Sequence, residues 1–195
     1  MAESRLLPTV AFRAFVGVPV GPSPALASLL DGLAASGADL KVVEPTHLHV
    51  TFCFLGDVPD DAVPRIAAAL DDATRGQTAF LFQLQGVGAF PNVRHPRVVW
   101  AGSKGPEQIV ALALRTRERL GAAGFPGDAK DFRAHVTLAR VRSERGLDKV
   151  VRFLREHGRD ELPEERVREV VLFKSTLGPH GPSYERLHSA ALEGA

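Results

Sequence analysis

A chain of 195 residues is long enough for one substantial core or two small lobes, and too short for several independent domains. Hydrophobic residues at 45% and charged residues at 24% are ordinary for a globular protein, and 24 Lys plus Arg against 23 Asp plus Glu leave no whole-chain field to draw in a long polyanion. A polyanionic partner must therefore be gripped locally. The single cysteine, Cys53, has no intramolecular disulfide partner, which suits a reducing compartment. With no secretory-leader pattern and no run of about 18 apolar residues, a soluble cytoplasmic protein is expected.

Taken in order, residues 10–18 read as a first strand ended by Pro19 and the Gly21-Pro22 turn. Ser23 and Pro24 read as the N-cap and first residue of a helix with Leu26, Leu29, Leu30 and Leu33 on its apolar face and Gly37 past its end. A short strand near Leu40–Val43 follows. From His47 to Leu55 apolar and polar residues alternate, which puts His47, His49, Thr51, Cys53 and Leu55 on one face of a strand ended by Gly56-Asp57. Leu48, Val50, Phe52 and Phe54 then fall on the other face. Residues 60–74 read as a helix with acidic residues in its first turn and Gly76 at its end.

Residues 80–86 and 97–101 read as strands separated by a Gly- and Pro-containing loop from Gly88 to Pro96, and 106–120 as a third helix. The strand that follows carries Arg133, His135, Thr137 and Ala139 on one face and Phe132, Ala134, Val136 and Leu138 on the other. Arg140, Arg142 and Arg145 come next and read as solvated charges, with substrate binding left open for Arg140. A fourth helix over 147–157, a strand over 167–174, a turn from Gly178 to Pro182 and a last strand over 184–192 complete the chain. No linker or low-complexity segment divides it, so residues 1–195 read as a single domain.

Two stretches stand out, His49-Val50-Thr51-Phe52 and His135-Val136-Thr137-Leu138, 86 residues apart. Each is His-x-Thr-x with apolar residues at x, and in a strand the His and Thr share a face while the x residues point to the core. If the two strands lie side by side, two imidazoles and two hydroxyls meet in one cleft. Imidazole titrates near neutrality, so a pair flanking a phosphate can serve as general base and general acid. An arginine on the same face as His135, which the alternation makes Arg133, can fork onto phosphate oxygens.

Beyond these motifs, Arg13-Ala-Phe-Val-Gly-Val-Pro19, Gly88-Ala-Phe-Pro91, Pro96-Arg-Val-Val-Trp-Ala-Gly102 and the block Ser175–Tyr184 complete a resemblance that covers nearly the whole chain. The sequence resembles the RNA 2′,3′-cyclic phosphodiesterases, also called 2′-5′ RNA ligases, of the two-histidine phosphoesterase superfamily. The resemblance implies a bilobal α+β fold: two pseudo-symmetric lobes, each with an antiparallel sheet and outer helices, and the phosphate in the cleft between them. It implies His49 as proton donor, His135 as proton acceptor, Thr51 and Thr137 as hydrogen-bond donors to the phosphate, and no metal or other cofactor. The reaction implied is hydrolysis of an RNA 2′,3′-cyclic phosphate end to a 2′-phosphomonoester, with 2′-5′ joining as its reversal. The partners implied are RNA ends or small cyclic nucleotides, with no membrane and no obligate protein partner, and the chain is expected to act as a monomer.

Tyr184 and Phe132 are candidates to stack on a terminal base. Ala134 replaces a proline common before the second histidine. Cys53 replaces a basic residue common after the first motif, so one positive charge beside the phosphate is expected to be missing. Two other functions stay open: a metal-dependent phosphohydrolase using His47-x-His49, and a non-catalytic binder of RNA ends or nucleotides.

Overall fold

The computed structural model describes residues 11–128, 131–178 and 181–195. Val10, Pro179 and His180, assigned above to the first strand and to the last turn, lie outside them. Along the chain run β1 (Ala11–Pro19), α1 (Pro24–Ala35), β2 (Leu40–Val42), β3 (His49–Pro59), α2 (Val63–Thr74), β4 (Phe80–Phe90) and β5 (Val98–Lys104). Then follow α3 (Glu107–Ala122), β6 (Val136–Val141), α4 (Leu147–His157), β7 (Glu161–Val167), β8 (Glu169–Gly178) and β9 (Gly181–Ala191).

The strands form an antiparallel sheet in the order β7-β4-β5-β6-β3-β1-β8-β9, with β2 added on β6. Its middle is its narrowest point: β3 and β6 are registered through Val50 opposite Val136 alone. The sheet therefore falls into two four-stranded halves, β3-β1-β8-β9 and β7-β4-β5-β6, and each His-x-Thr stretch lies at the inner edge of one half. Helices α2 and α3 pack together, α2 on β8 and β9 and α3 on β3, whereas α1 packs on β2, β6 and β7 and α4 on β4. This is the expected bilobal α+β arrangement of two antiparallel halves with outer helices.

The helices cover the face carrying Val50, Phe52, Val136 and Leu138, all fully buried. The histidines and threonines consequently face away from the helices. Where local signals were strong the elements follow them. Ser23 Oγ accepts the Leu26 N–H at 3.3 Å and caps α1, with Pro24 in its first turn.

The structure corrects several readings. His47 closes a 3₁₀ turn, Pro45–His47, and β3 begins only at His49. The strand does not stop at Gly56-Asp57 but continues to Pro59, opposite Ala11. On the way its register against β1 slips between Val16 and Gly17, whose partners are Cys53 and Thr51, so Phe52 is an extra residue. Such a bulge inverts the inside–outside parity of the strand until a second slip, between Ala14 and Phe15, passes over Leu55 and restores it. Cys53 is thereby turned into the core at 1% exposure, and Phe54, expected inside, stands 48% exposed.

The residues 88–96 read as a loop are divided: Gly88, Ala89 and Phe90 continue β4, and the loop begins at Pro91. Gly88 is a packing glycine, because a Cβ there would lie 2.2 Å from the Trp100 ring. The helix read from residue 60 has a 3₁₀ first turn, Asp60–Ala62. Strand β7 escaped the sequence reading altogether. Its Glu161-Leu-Pro-Glu-Glu-Arg-Val167 is polar and holds a proline, a pattern that suits an edge strand, here paired with β4 across a register shift at Gln83/Gln85.

Phe52 fills the point where β3, its bulge and the helix layer meet. Phe52→Ala should cost about 3–5 kcal/mol of stability, read as a lowered urea midpoint at unchanged slope.

Candidate active site

The two motifs build the same local device twice. His49 Nδ1 lies 2.7 Å from the carbonyl oxygen of His47, and His135 Nδ1 lies 2.6 Å from that of Arg133. A carbonyl only accepts, so in each ring Nδ1–H is the donor and Nε2 keeps the lone pair. The tautomer and the ring orientation are thus set by the backbone two residues upstream. Extending the antiparallel register from Val50 and Val136 by one residue sets His49 across from Thr137, and Thr51 across from His135. Each imidazole is therefore matched with the hydroxyl of the other motif.

The walls are aromatic on both sides. Around His49 stand Phe15 at 4.8 Å between ring centres, Tyr184 at 5.4 Å and nearly perpendicular, and Phe173 at 6.1 Å. Around His135 stand Phe90 at 5.0 Å, also nearly perpendicular, and Trp100 at 6.4 Å. Burial among these rings penalises the charged imidazolium and lowers the His49 pKa to about 4, against the opposing pull of the His47 carbonyl. Positive charge on His135, His47 and Arg140 lowers it further. His135 is also lowered, first by desolvation and then by Arg140, with the Arg133 carbonyl working the other way. With no anion beside them both rings are therefore neutral at pH 7.

Arg140 holds a position that alternation hid. The β6 register slips between Val99 and Trp100, whose partners are Ala139 and Thr137, which makes Leu138 an extra residue. Ala139 is consequently fully buried and Arg140 comes out on the side of Thr137. Its charge lowers the pKa of His49 and His135 and opposes the burial that raises that of Tyr184, so one guanidinium is near enough to act on both imidazoles and the phenol. Among the described residues Arg140 forms no ion pair. Both motif strands bulge at the residue after the threonine, so Phe54 and Arg140 hold equivalent places five residues beyond their histidines. Neither could be found from period-two alternation; the shared five-residue offset becomes visible only once both bulges are known.

Of the residues singled out in the sequence, His49, Thr51, His135, Thr137 and Tyr184 are brought together, Tyr184 lying 5.0 Å from His47 and 5.0 Å from Phe15 between ring centres. Arg133 is not delivered by a strand face, because β6 starts only at Val136 and the residues before it follow no alternation. It reaches His135 through its carbonyl, and its side chain lines an adjoining cavity. Phe132 is anchored edge-on to Phe52 at 5.6 Å with the Arg117 guanidinium 5.9 Å above it. That ties it to the core more than to the cleft.

Cys53 does not face the histidines: burial pushes its thiol up to about 12. Residue 53 thus cannot be where a positive charge beside the phosphate is lost. His47 and His49 are joined by no further His, Cys, Asp or Glu in a group able to hold a metal ion, among the described residues.

An antiparallel α+β fold of two halves, with a half-buried histidine and a threonine from each meeting at the seam, defines a phosphoesterase-type centre. The sequence matches the family described as LigT like Phosphoesterase over residues 16–100 and 103–184. It is 36% identical over 174 residues, 88% of this chain and 94% of the other, to a protein of Methanothermobacter thermautotrophicus named RNA 2′,3′-cyclic phosphodiesterase. A protein of the same name from Archaeoglobus fulgidus is 40% identical over 148 residues, 76% of this chain and 81% of its own. A crystal structure of a Thermus thermophilus protein superposes with a TM-score of 0.72 at 28% identity, covering 93% of this chain and 98% of that one. Escherichia coli LigT complexed with 3′-AMP shares the fold at a TM-score of 0.69 and 22% identity, covering 94% and 99% of the two chains. The chain belongs to the LigT-like phosphoesterases and is an enzyme.

The depressed His49 pKa has a consequence for stability. Unfolded, this histidine takes up a proton near pH 6.5; folded, it does so only near 4, so the unfolded state binds more protons between those values. The contribution of the neutral ring to stability is complete above about pH 6.5 and is lost as the pH falls toward 4. Melting temperatures should drop more steeply over that window in the native protein than in His49→Gln.

Proposed function

We propose that the protein hydrolyses RNA 2′,3′-cyclic phosphate ends to 2′-phosphomonoesters without a metal, His135 acting as general base and His49 as general acid. The observation that carries this reading is the doubled Nδ1–carbonyl clamp, which leaves Nε2 of each ring without a hydrogen-bond partner among the described residues, with the Arg140 charge acting on both. The cyclic phosphate is an anion. Its charge raises both imidazole pKa values, so a proton enters the site with the substrate.

Neutral His135 then removes a proton from water through Nε2 as the water oxygen attacks phosphorus. The bond from phosphorus to O3′ breaks, and protonated His49 delivers its proton to O3′. Burial makes the His49 imidazolium the stronger acid of the two, which suits the donor role: a destabilised cation gives up its proton readily. Thr51 and Thr137 donate to non-bridging oxygens, and Arg140, in place of Arg133, forks onto the charge that builds there. Exposed Phe54 and half-buried Tyr184 offer ring faces to the terminal base.

The same steps with a 5′-hydroxyl in place of water give a 2′-5′ linkage, and small cyclic phosphates such as ADP-ribose cyclic phosphate present the same reacting group. No helix among the described residues is long and apolar enough to cross a membrane, and we place the enzyme in the cytoplasm, as a monomer.

The test is turnover of a short RNA ending in a 2′,3′-cyclic phosphate in excess EDTA, resolving 2′- from 3′-phosphate product. A 2′-phosphate is expected, with His49→Ala and His135→Ala each reducing kcat by about 10²–10⁴-fold. Activity that disappears in EDTA would favour the His47-x-His49 metal reading, and binding without turnover the non-catalytic one. Arg140→Ala should lower kcat/KM by about 10²–10³-fold and by more than Arg133→Ala, with partial rescue in Arg140→Lys.

The pH profile is a further check. Free enzyme is competent when one of the two histidines holds a proton, and both pKa values lie below 6.5. The kcat/KM maximum should therefore lie on the acid side of pH 6.5, and the kcat maximum, set in the complex where the anion raises both values, at higher pH.

A further inference from the structure

Beside His135, on the side away from β3, lies a cavity of about 470 Å³ that hydrolysis leaves unused. Its walls include Trp100, Phe90, Val110, Ser103, Arg133 and His135 itself. A nucleophilic water needs roughly 30 Å³, so the space is far larger than hydrolysis requires, and its size is that of a small-ligand site.

Trp100 is laid against the sheet. A Cβ on Gly88 would come within 2.2 Å of its ring and one on Gly102 within 2.9 Å, so two glycines in β4 and β5 clear the surface on which the indole rests. Its Nε1–H is buried with no acceptor among the described residues, an arrangement that costs free energy. Shape, not hydrogen bonding, holds the ring there. Phe90 stands 5.2 Å from it, tilted by 40°. Two aromatic faces next to a polar edge, with Ser103 Oγ and an exposed guanidinium at Arg133, form a surface suited to a nucleobase and its sugar-phosphate.

We propose that this cavity is an acceptor subsite, which binds the nucleoside at the 5′-hydroxyl end of a second RNA strand and presents that hydroxyl in place of water. The proposal rests on the assignment of His135 as base and His49 as acid, because these set its polarity. In an in-line displacement the nucleophile enters opposite the leaving O3′. O3′ is protonated by His49, so the entering oxygen is on the side of His135, where the cavity opens.

The acceptor O5′ attacks phosphorus, its proton passes to His135 Nε2, the bond from phosphorus to O3′ breaks, and O3′ takes the proton of His49. The product is a 2′-5′ phosphodiester with a free 3′-hydroxyl. Nothing is oxidised or reduced, no other reactant is consumed, and the reverse path cleaves the same linkage. Arg133 at the rim is placed for the phosphate on the 3′ side of the acceptor nucleoside, which gives this guanidinium a role separate from that of Arg140.

Trp100 is the chain's single tryptophan, so its fluorescence reports on this cavity without a label. Titration with adenosine, which carries a free 5′-hydroxyl and no phosphate, should quench the emission saturably, and Val110→Arg, which fills the cavity, should abolish the quench. With an RNA bearing a 2′,3′-cyclic phosphate and an excess of a 5′-hydroxyl oligonucleotide, Val110→Arg should lower the ratio of 2′-5′-joined to hydrolysed product about 5- to 100-fold, the range that loss of one stacked base represents.

Arg133→Glu, a surface change that spares the core, should lower the same ratio and stands in if Val110→Arg fails to fold. The proposal is overturned by the absence of a saturable quench, by a quench that survives Val110→Arg, by an unchanged ratio in Arg133→Glu, or by no joined product from the native protein while hydrolysis proceeds. Failure of the native protein to hydrolyse the cyclic phosphate would instead overturn the assigned reaction. The adenosine titration reads the cavity in either case.

Discussion

Everything in the cleft depends on the pairing of Val50 with Val136. Both side chains are fully buried against the helix layer, and that burial turns their neighbours, one residue away on either side, to the opposite face. A single antiparallel contact thus places two histidines and two threonines at one seam. A slip of one residue in either strand would send the imidazoles into the core and bring valines to the cleft. The register is protected by how much apolar surface would be exposed by that slip, with Phe52 and Leu138 buried on the same side as the valines.

The two lobes differ in sequence, yet they solve the same problems with the same devices. In each a backbone carbonyl two residues upstream fixes the histidine tautomer, and in each a bulge after the threonine reverses the strand's parity. What they deliver through that reversal differs. One lobe brings out an aromatic ring, Phe54, and the other a guanidinium, Arg140. A site that is symmetric at its two histidines is therefore asymmetric around them: one side offers a flat surface and the other a charge. That division suits the proposed substrate, which has a base on one side of the ribose and a phosphate on the other.

The parts of this site that could be read in the sequence are those governed by local rules. His-x-Thr repeated in alternating runs was enough to place His49, Thr51, His135 and Thr137 on strands and to put the intervening valines inside, and Ser23-Pro24 announced α1. Arg140, Phe54 and Cys53 were misassigned for one reason: alternation is a rule of two, and an extra residue whose presence depends on the neighbouring strand breaks it without a local mark. For Arg133 the alternation gives no strand face, because β6 begins only after His135, although both residues line one cavity. Strand β7 leaves no mark in the sequence because an edge strand has no need to be apolar, and Gly88 reads as a turn residue because the demand on it comes from Trp100, twelve residues away.

Two of the four outer helices are exchanged between the lobes. Helix α1 follows β1 of one half and packs on the other, and α3 follows β5 and crosses back to lie over β3. Each half would therefore lose part of the cover of its own sheet on parting from the other, although α2 and α4 stay with the halves they follow. The lobes are two in shape but one in cooperativity, laced together by chain crossings more than by the single strand pair at the seam. Loss of either should melt both at once, so the distance between the two imidazoles is as durable as the whole protein, although only one registered residue pair spans it.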